Sequence, residues 1–191
     1  MTDQTSSATA TDLSGYDLTG ERADLLESLR QHRALFLRTV EGLTDDQARM
    51  TPTVSSLSLG GLVKHVAATE DEWARFVTQG PDAGLEMDWG SVDWSDPPAE
   101  VLAYQAQFVL GPDETLAGVL EEYARVAAAT DALVASEDLD RRWPLPAAPW
   151  FAPGSTRSVR RTFLHVVAET AQHAGHADII RESIDGARTM G

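Results

Sequence analysis

Residues 162–186 read TFLHVVAETAQHAGHADIIRESIDG, and this stretch decides the fold. Phe163, Val166, Val167, Thr170, Ala174, Ala177 and Ile180 recur at the three- and four-residue steps of one helical face. Asp185-Gly186 supplies a C-terminal stop, so the spacing predicts a helix from about Thr156 to Ile184. The same face carries His165, Glu169, His173 and His176, which a purely structural helix has no need of. A carboxylate set beside Val166, Thr170 and Ile180 faces a heavy desolvation cost unless something neutralises it.

Three more stripes precede this one. Leu25, Leu29, Phe36, Val40 and Leu43 predict a helix from about Glu21 to Leu43, punctuated by Gly42 and Thr44-Asp45. Leu62, Val66, Trp73 and Phe76 predict a second from about Ser58 to Val77, stopped by Gly80-Pro81. Leu116, Val119, Tyr123, Val126, Thr130 and Leu133 predict a third, with Gly111-Pro112-Asp113-Glu114 suited to its N-terminus. Two long connections, 80–111 and 137–157, are rich in proline, glycine and tryptophan; residues 98–108 within the first read as a short helix. No internal repeat and no useful β alternation is present. Four amphipathic helices must bury their stripes against one another, so the expected fold is all-α, a four-helix bundle with Trp/Pro-rich inter-helix connections.

Residues 1–16 hold almost no bulky apolar side chain and are expected to form a disordered tail before a single domain over 17–191. The hydrophobic content of 42% is enough for a core. A formal charge of −15 repels nucleic-acid phosphates and anionic membranes, and argues against both as partners. The absence of cysteine excludes disulfides, thiolate metal sites and cysteine nucleophiles. The N-terminus lacks the basic start and apolar run of a secretion signal, and no window approaches a membrane span, so a cytoplasmic home is expected.

Residues four apart on a helix stand about 5–6 Å apart at Cβ. Glu169 and His173 can therefore reach one ion, and His65, next to the core position Val66 on the second helix, can point inward as a third ligand. Three protein ligands leave a zinc ion an open position, as in catalytic sites; nickel, manganese and iron suit the same ligands. The alternatives stay open at this level: Glu169 can pair with Arg181 or Arg75, and the histidines can be satisfied core residues. Trp89, Trp94, Trp143 and Trp150 lie in the long connections, where they can wall a binding pocket or merely cover the core ends. Arg141, Arg142 and Arg157 can hold carboxylates of a thiol or substrate, or balance surface acids.

SLSLGGLVKHVAATEDEW (56–73) resembles the second-helix motif, and TFLHVVAETAQHAGHADIIRESIDG the last-helix motif, of actinobacterial DinB-like proteins grouped with mycothiol-dependent transferases in the DinB/YfiT-like superfamily. DLTGERADLLESLRQHRALFLRTVEGLTDDQ (17–47) is similar to that group's opening. Many members of the superfamily place two metal histidines four residues apart on the last helix, and here Glu169 takes the first position. The mycothiol-dependent maleylpyruvate isomerases use a histidine, a glutamate and a histidine around zinc, and His65, Glu169 and His173 match that pattern. Those isomerases carry a further C-terminal domain without a counterpart in this sequence, so activity on maleylpyruvate is not implied.

The resemblance implies a metal-dependent S-transferase that adds a metal-activated thiol, mycothiol or similar, to an electrophilic metabolite or xenobiotic. His165 and His176 are then expected to orient ligands or move protons, with Trp143, Trp150 and Arg157 contacting the thiol cofactor. Two other readings compete: a non-catalytic metal-binding stress-response protein, and a metal-independent helical dimerisation protein. A homodimer is expected through a face exposing Leu26 or Leu116.

Overall fold

The computed structural model describes residues 13–83, 92–146, 148 and 150–189; Trp89 lies outside them. The chain is mostly helical. Helix α1 spans Glu21–Arg38, with Glu21 and Asp24 in its first turn and Arg38 in its last, each complementing the helix dipole. It stops short of the expected Leu43: the Thr39 hydroxyl donates to the Phe36 carbonyl, and the chain turns through Gly42 at a φ of 72°. Val40 stays buried nonetheless. What reads as punctuation at Thr44-Asp45 is the start of a short helix, α2 (Asp45–Arg49), where Thr44 and Gln47 cap each other reciprocally.

Helix α3 spans Leu59–Gln79 and is capped by Ser58, whose hydroxyl accepts from the Gly61 amide. It leads into a 3-10 turn over Gly80–Ala83. Helix α4 (Ala99–Ala106) confirms the short helix expected within the first connection. Helix α5 (Leu116–Ser136) begins at a Thr115 cap and not at the Gly111-Pro112 turn. Glu114 instead accepts from the Gly111 amide and pairs with Lys64, the only lysine in the chain.

Strands do occur, contrary to the sequence reading. Strand β1 (Arg142–Pro144) pairs antiparallel with β2 (Thr156–Ser158), and Trp143 stands opposite Arg157. Three residues per strand are too few to show alternation. The ribbon feeds directly into α6 (Val159–Asp185), which Ser158 caps at its start and Gly186, at a φ of 79°, at its end.

The four long helices pack along their apolar stripes, α3 against α5 and α6, and α1 against α6 and α5. One core cluster gathers Phe36, Leu62, Val66, Tyr123 and Ala177; the other gathers Leu25, Leu29, Val77, Phe163 and Val166. Leu13 belongs to the second cluster, so packed chain begins before residue 17. Leu26 and Leu116, expected on an exposed face, are 3% and 5% exposed, which removes them as a dimer surface. Both lie on the apolar stripes and are used up within the chain.

Between the clusters sits a buried ionic network. Arg33 of α1 donates to Glu70 of α3 at 2.5 and 3.2 Å and to Asp131 of α5 at 2.7 Å; Arg30 reaches the second Asp131 oxygen at 2.9 Å. The pairing leaves each carboxylate compensated out of water. Among the described residues, no helix is long and apolar enough to cross a membrane.

Candidate functional site

The site is built where α3, α6 and the end of α4 meet. Gly61 makes the meeting close: a Cβ there would lie 2.0 Å from the Phe108 carbonyl oxygen, so only glycine lets the segment after α4 lie against α3. Phe108 is thereby stacked on the His65 imidazole, with ring centroids 4.1 Å apart. The His65 ring in turn meets the His173 ring edge to face at 4.9 Å. Along α6, His173 Nε2 stands 3.8 Å from one Glu169 oxygen, and His165 Nε2 stands 3.5 Å from the other. Trp73 closes the row, 4.8 Å from His165 and edge-on to it.

His173 thus adjoins both His65 and Glu169, with His165 on the other side of the carboxylate. His176 extends from the exposed side of α6, its ring 5.5 Å from that of His173. Glu169 pairs with neither Arg181 nor Arg75, which are bound to Asp185 and Asp71. Trp143 does not reach the cluster. Its indole nitrogen donates to the Val77 carbonyl at 3.0 Å, and its ring covers Gly80, which fixes the ribbon to the end of α3. Trp150 and Trp94 are exposed. Arg157, directed inward by the ribbon, lies over the Trp73 ring at 4.5 Å.

Burial sets the electrostatics. It drives the His173 pKa down to about 4, helped by His65 and His176 nearby. Burial likewise lowers His165 to about 4, with Arg157 and Arg161 adding repulsion. His65 is lowered by burial, opposed by a hydrogen bond to Gln107. These imidazoles are therefore neutral at neutral pH, as metal ligands must be. Burial also raises the Glu169 carboxyl, and Arg157 works against that rise. Gln107 further bonds Glu72, whose carboxyl is raised by burial, and Tyr104 lies close enough to Glu72 and Glu169 for its phenol to be pushed up, burial being the larger cause.

A divalent metal needs donors with free lone pairs. His65 Nδ1 and His173 Nδ1 are buried without any hydrogen-bond partner. The separation of 3.8 Å between His173 and Glu169 compares with an edge of about 3.4 Å in a tetrahedron of ~2.1 Å bonds. Among the described residues, no three such side chains already converge on one point. The donor types, two imidazoles and a carboxylate, are those that first-row divalent metals take.

Gln107, Phe108, Tyr104 and Glu72 escaped the sequence reading. The signal was the glycine pair at 60–61, which announces a close neighbour without naming it. A cavity of about 530 Å³ lies between α3 and α5 and includes Gln107, the His65 partner, in its lining.

No curated protein matches this chain. Residues 24–186 match the family model described as mycothiol-S-transferase. The match takes in α1 through α6 with every residue of the ring and carboxylate cluster, and the chain belongs to the mycothiol-S-transferase family, within the DinB/YfiT-like actinobacterial group.

Proposed function

We propose that this protein is a metal-dependent mycothiol S-transferase whose long helices form a four-helix bundle of the DinB/YfiT type. His65, Glu169 and His173 hold the ion, zinc by preference, and mycothiol delivers its sulfur to an electrophilic metabolite or xenobiotic. The observation that carries this reading is the meeting of two imidazoles, each with a buried Nδ1 that has no hydrogen-bond partner, with His173 also beside the Glu169 carboxylate. Family membership supports the thiol and the transfer.

Bound at these residues, a divalent metal supplies a positive charge that favours the thiolate form of the thiol. The chain's own groups do the rest. His65 and His173 are neutral and offer lone pairs; Glu169 offers a negative charge. His165, at a pKa of about 4, is a poor proton acceptor near neutrality. Its place beside Glu169 suits it to orient that carboxylate by donating from Nε2. Phe108 and Trp73 shield the cluster from water on two sides. His176, being exposed, is the imidazole free to exchange protons with solvent. Transfer breaks the sulfur–hydrogen bond and forms one carbon–sulfur bond, while the electron pair displaced at the electrophilic carbon departs with its leaving group, or, in an addition, takes up a proton.

The test uses protein purified without a metal-affinity tag. Elemental analysis should find roughly one divalent ion per chain, lost in Glu169→Gln. Mycothiol consumption with chlorodinitrobenzene should follow metal content across both proteins. Unchanged metal content in Glu169→Gln removes the ligand assignment. The cavity between α3 and α5 is lined by none of His65, Glu169 and His173, which favours one second reading, a non-catalytic metal-binding stress-response protein. Tight metal without thiol-dependent turnover selects it.

A further inference from the structure

Among the described residues, Arg157 is a buried cation with no carboxylate at hydrogen-bond range. It is 8% exposed, its Nη1 has no partner, and among the described residues it forms no ion pair. The contrast with the chain's other arginines is sharp. Arg33, also buried, is held by Glu70 and Asp131, and the half-buried Arg160 by Glu21 and Asp140. A protein with 30 acidic residues has carboxylates to spare, yet among the described residues none forms an ion pair with Arg157.

The guanidinium is instead anchored by aromatic rings. Its central carbon lies 4.5 Å from the centre of the Trp73 ring and 5.5 Å from that of Phe151, cation–π contacts that use no N–H donor. That geometry prepares an arginine for a planar, bidentate acceptor. Glu169 is near enough to feel its charge but is committed to the ion in the function proposed above. Arg161 adds positive charge on the same side, felt by both Arg157 and His165. Phe151 also walls a cavity of about 520 Å³ lined by Leu145, Pro146, Ala152 and Pro153. Phe151 thus links the guanidinium to a cavity with room for an apolar body, within the usual size of small-molecule sites.

We propose that Arg157 receives a carboxylate borne by the electrophile, so that the substrates of this protein are organic acids with an apolar body. The proposal rests on the transferase reading for its use of the word substrate. Mycothiol does not supply the anion: its cysteine carboxyl is tied up as an amide and its sugars are neutral. The carboxylate therefore belongs to the other reactant.

Two arms test this. In the first, 3,5-dinitrobenzoate and its methyl ester, neither of which reacts, are titrated into the protein by calorimetry. The acid should bind at least about tenfold more tightly than the ester, the scale of a charge-assisted pair. Arg157→Met, which keeps the apolar packing, should erase that preference, and Arg157→Lys should restore part of it. In the second arm, mycothiol is offered 4-chloro-3,5-dinitrobenzoate or its methyl ester. A carbon–sulfur bond forms, the carbon–chlorine bond breaks, and chloride and a proton leave. The kcat/KM ratio of acid to ester should fall about tenfold or more in Arg157→Met. Equal binding of acid and ester by the unaltered protein, or a preference that survives Arg157→Met, overturns the proposal. The first arm needs neither mycothiol nor turnover, so a failed transferase reading and a failed anion site give different results. If Arg157→Met does not fold, Arg157→Lys and the acid–ester comparison on the unaltered protein carry the decision.

Discussion

Replacing Gly61 and Gly175 by alanine, one at a time, should move stability in opposite directions. Both glycines lie within long helices, where alanine is ordinarily favoured by up to about 1 kcal/mol. At Gly175 nothing lies within 4 Å of the added carbon, so Gly175→Ala should gain most of that increment. At Gly61 the new carbon would meet the Phe108 carbonyl oxygen at 2.0 Å and its carbon at 2.6 Å. Both are backbone atoms, which no side-chain rotation can move aside. Restoring an ordinary contact requires the segment after α4 to retreat by roughly 1.4 Å, an overpacking strain of about 1–3 kcal/mol or more. For a chain of this size each kcal/mol shifts Tm by about 2–4 °C. Gly61→Ala should therefore melt several degrees lower, and Gly175→Ala slightly higher. The retreat should also pull the Phe108 ring off His65, so metal affinity should fall in the first variant alone. Thermal melts and urea titrations of both proteins, with metal titration in parallel, check this. A Gly61→Ala protein as stable as the parent, with unaltered metal affinity, would refute the reasoning.

Glu70→Gln should destabilise the protein by about 3–5 kcal/mol, because Arg33 loses its main counter-charge in a site closed to water; urea unfolding measures it. The metal-free protein should lose stability as pH falls from 6.5 to about 4. Over that window the unfolded chain binds protons on His165 and His173 that the folded chain refuses, since both folded values lie near 4. Glu169 acts in the opposite sense, as its raised carboxyl keeps a proton in the folded state to higher pH than in the unfolded chain. Each depressed imidazole contributes on the order of 1–3 kcal/mol across the window, so His173→Asn should flatten the profile in urea melts at pH 7.0, 5.5 and 4.5. Above pH 6.5 the two proteins should show parallel profiles.

The long helices were legible because burial writes a 3.6-residue period into α1, α3, α5 and α6. The α6 part of the site was legible for the same reason, since Glu169 and His173 interrupt a stripe that should be apolar. The buried network follows the same rule and was overlooked. Arg33 falls between Leu29 and Phe36, and Glu70 between Val66 and Val77, both on stripes that face the core. What the stripe does not reveal is which charge meets which, as Arg33 and Asp131 lie 98 residues apart. Arg157 was singled out by its charge and Phe108 was not, and for neither could the sequence supply the neighbours it meets. A strand of three residues and the two residues after a short helix are too brief to carry any period, so only tertiary packing defines where they point.

The ties on α6 are unevenly spread. Arg160 grips Glu21 and Asp140 near its start, and Arg181 grips the Thr39 and Glu41 carbonyls near its end. The ring and carboxylate cluster sits in the span between these clamps, like the loose middle of a string fixed at both ends. Occupation of the cluster should therefore read out as slowed amide exchange over residues 165–176, while the clamped ends exchange at the same rate with or without metal. A helix held this way can adjust its centre to a bound reactant without surrendering its anchorage.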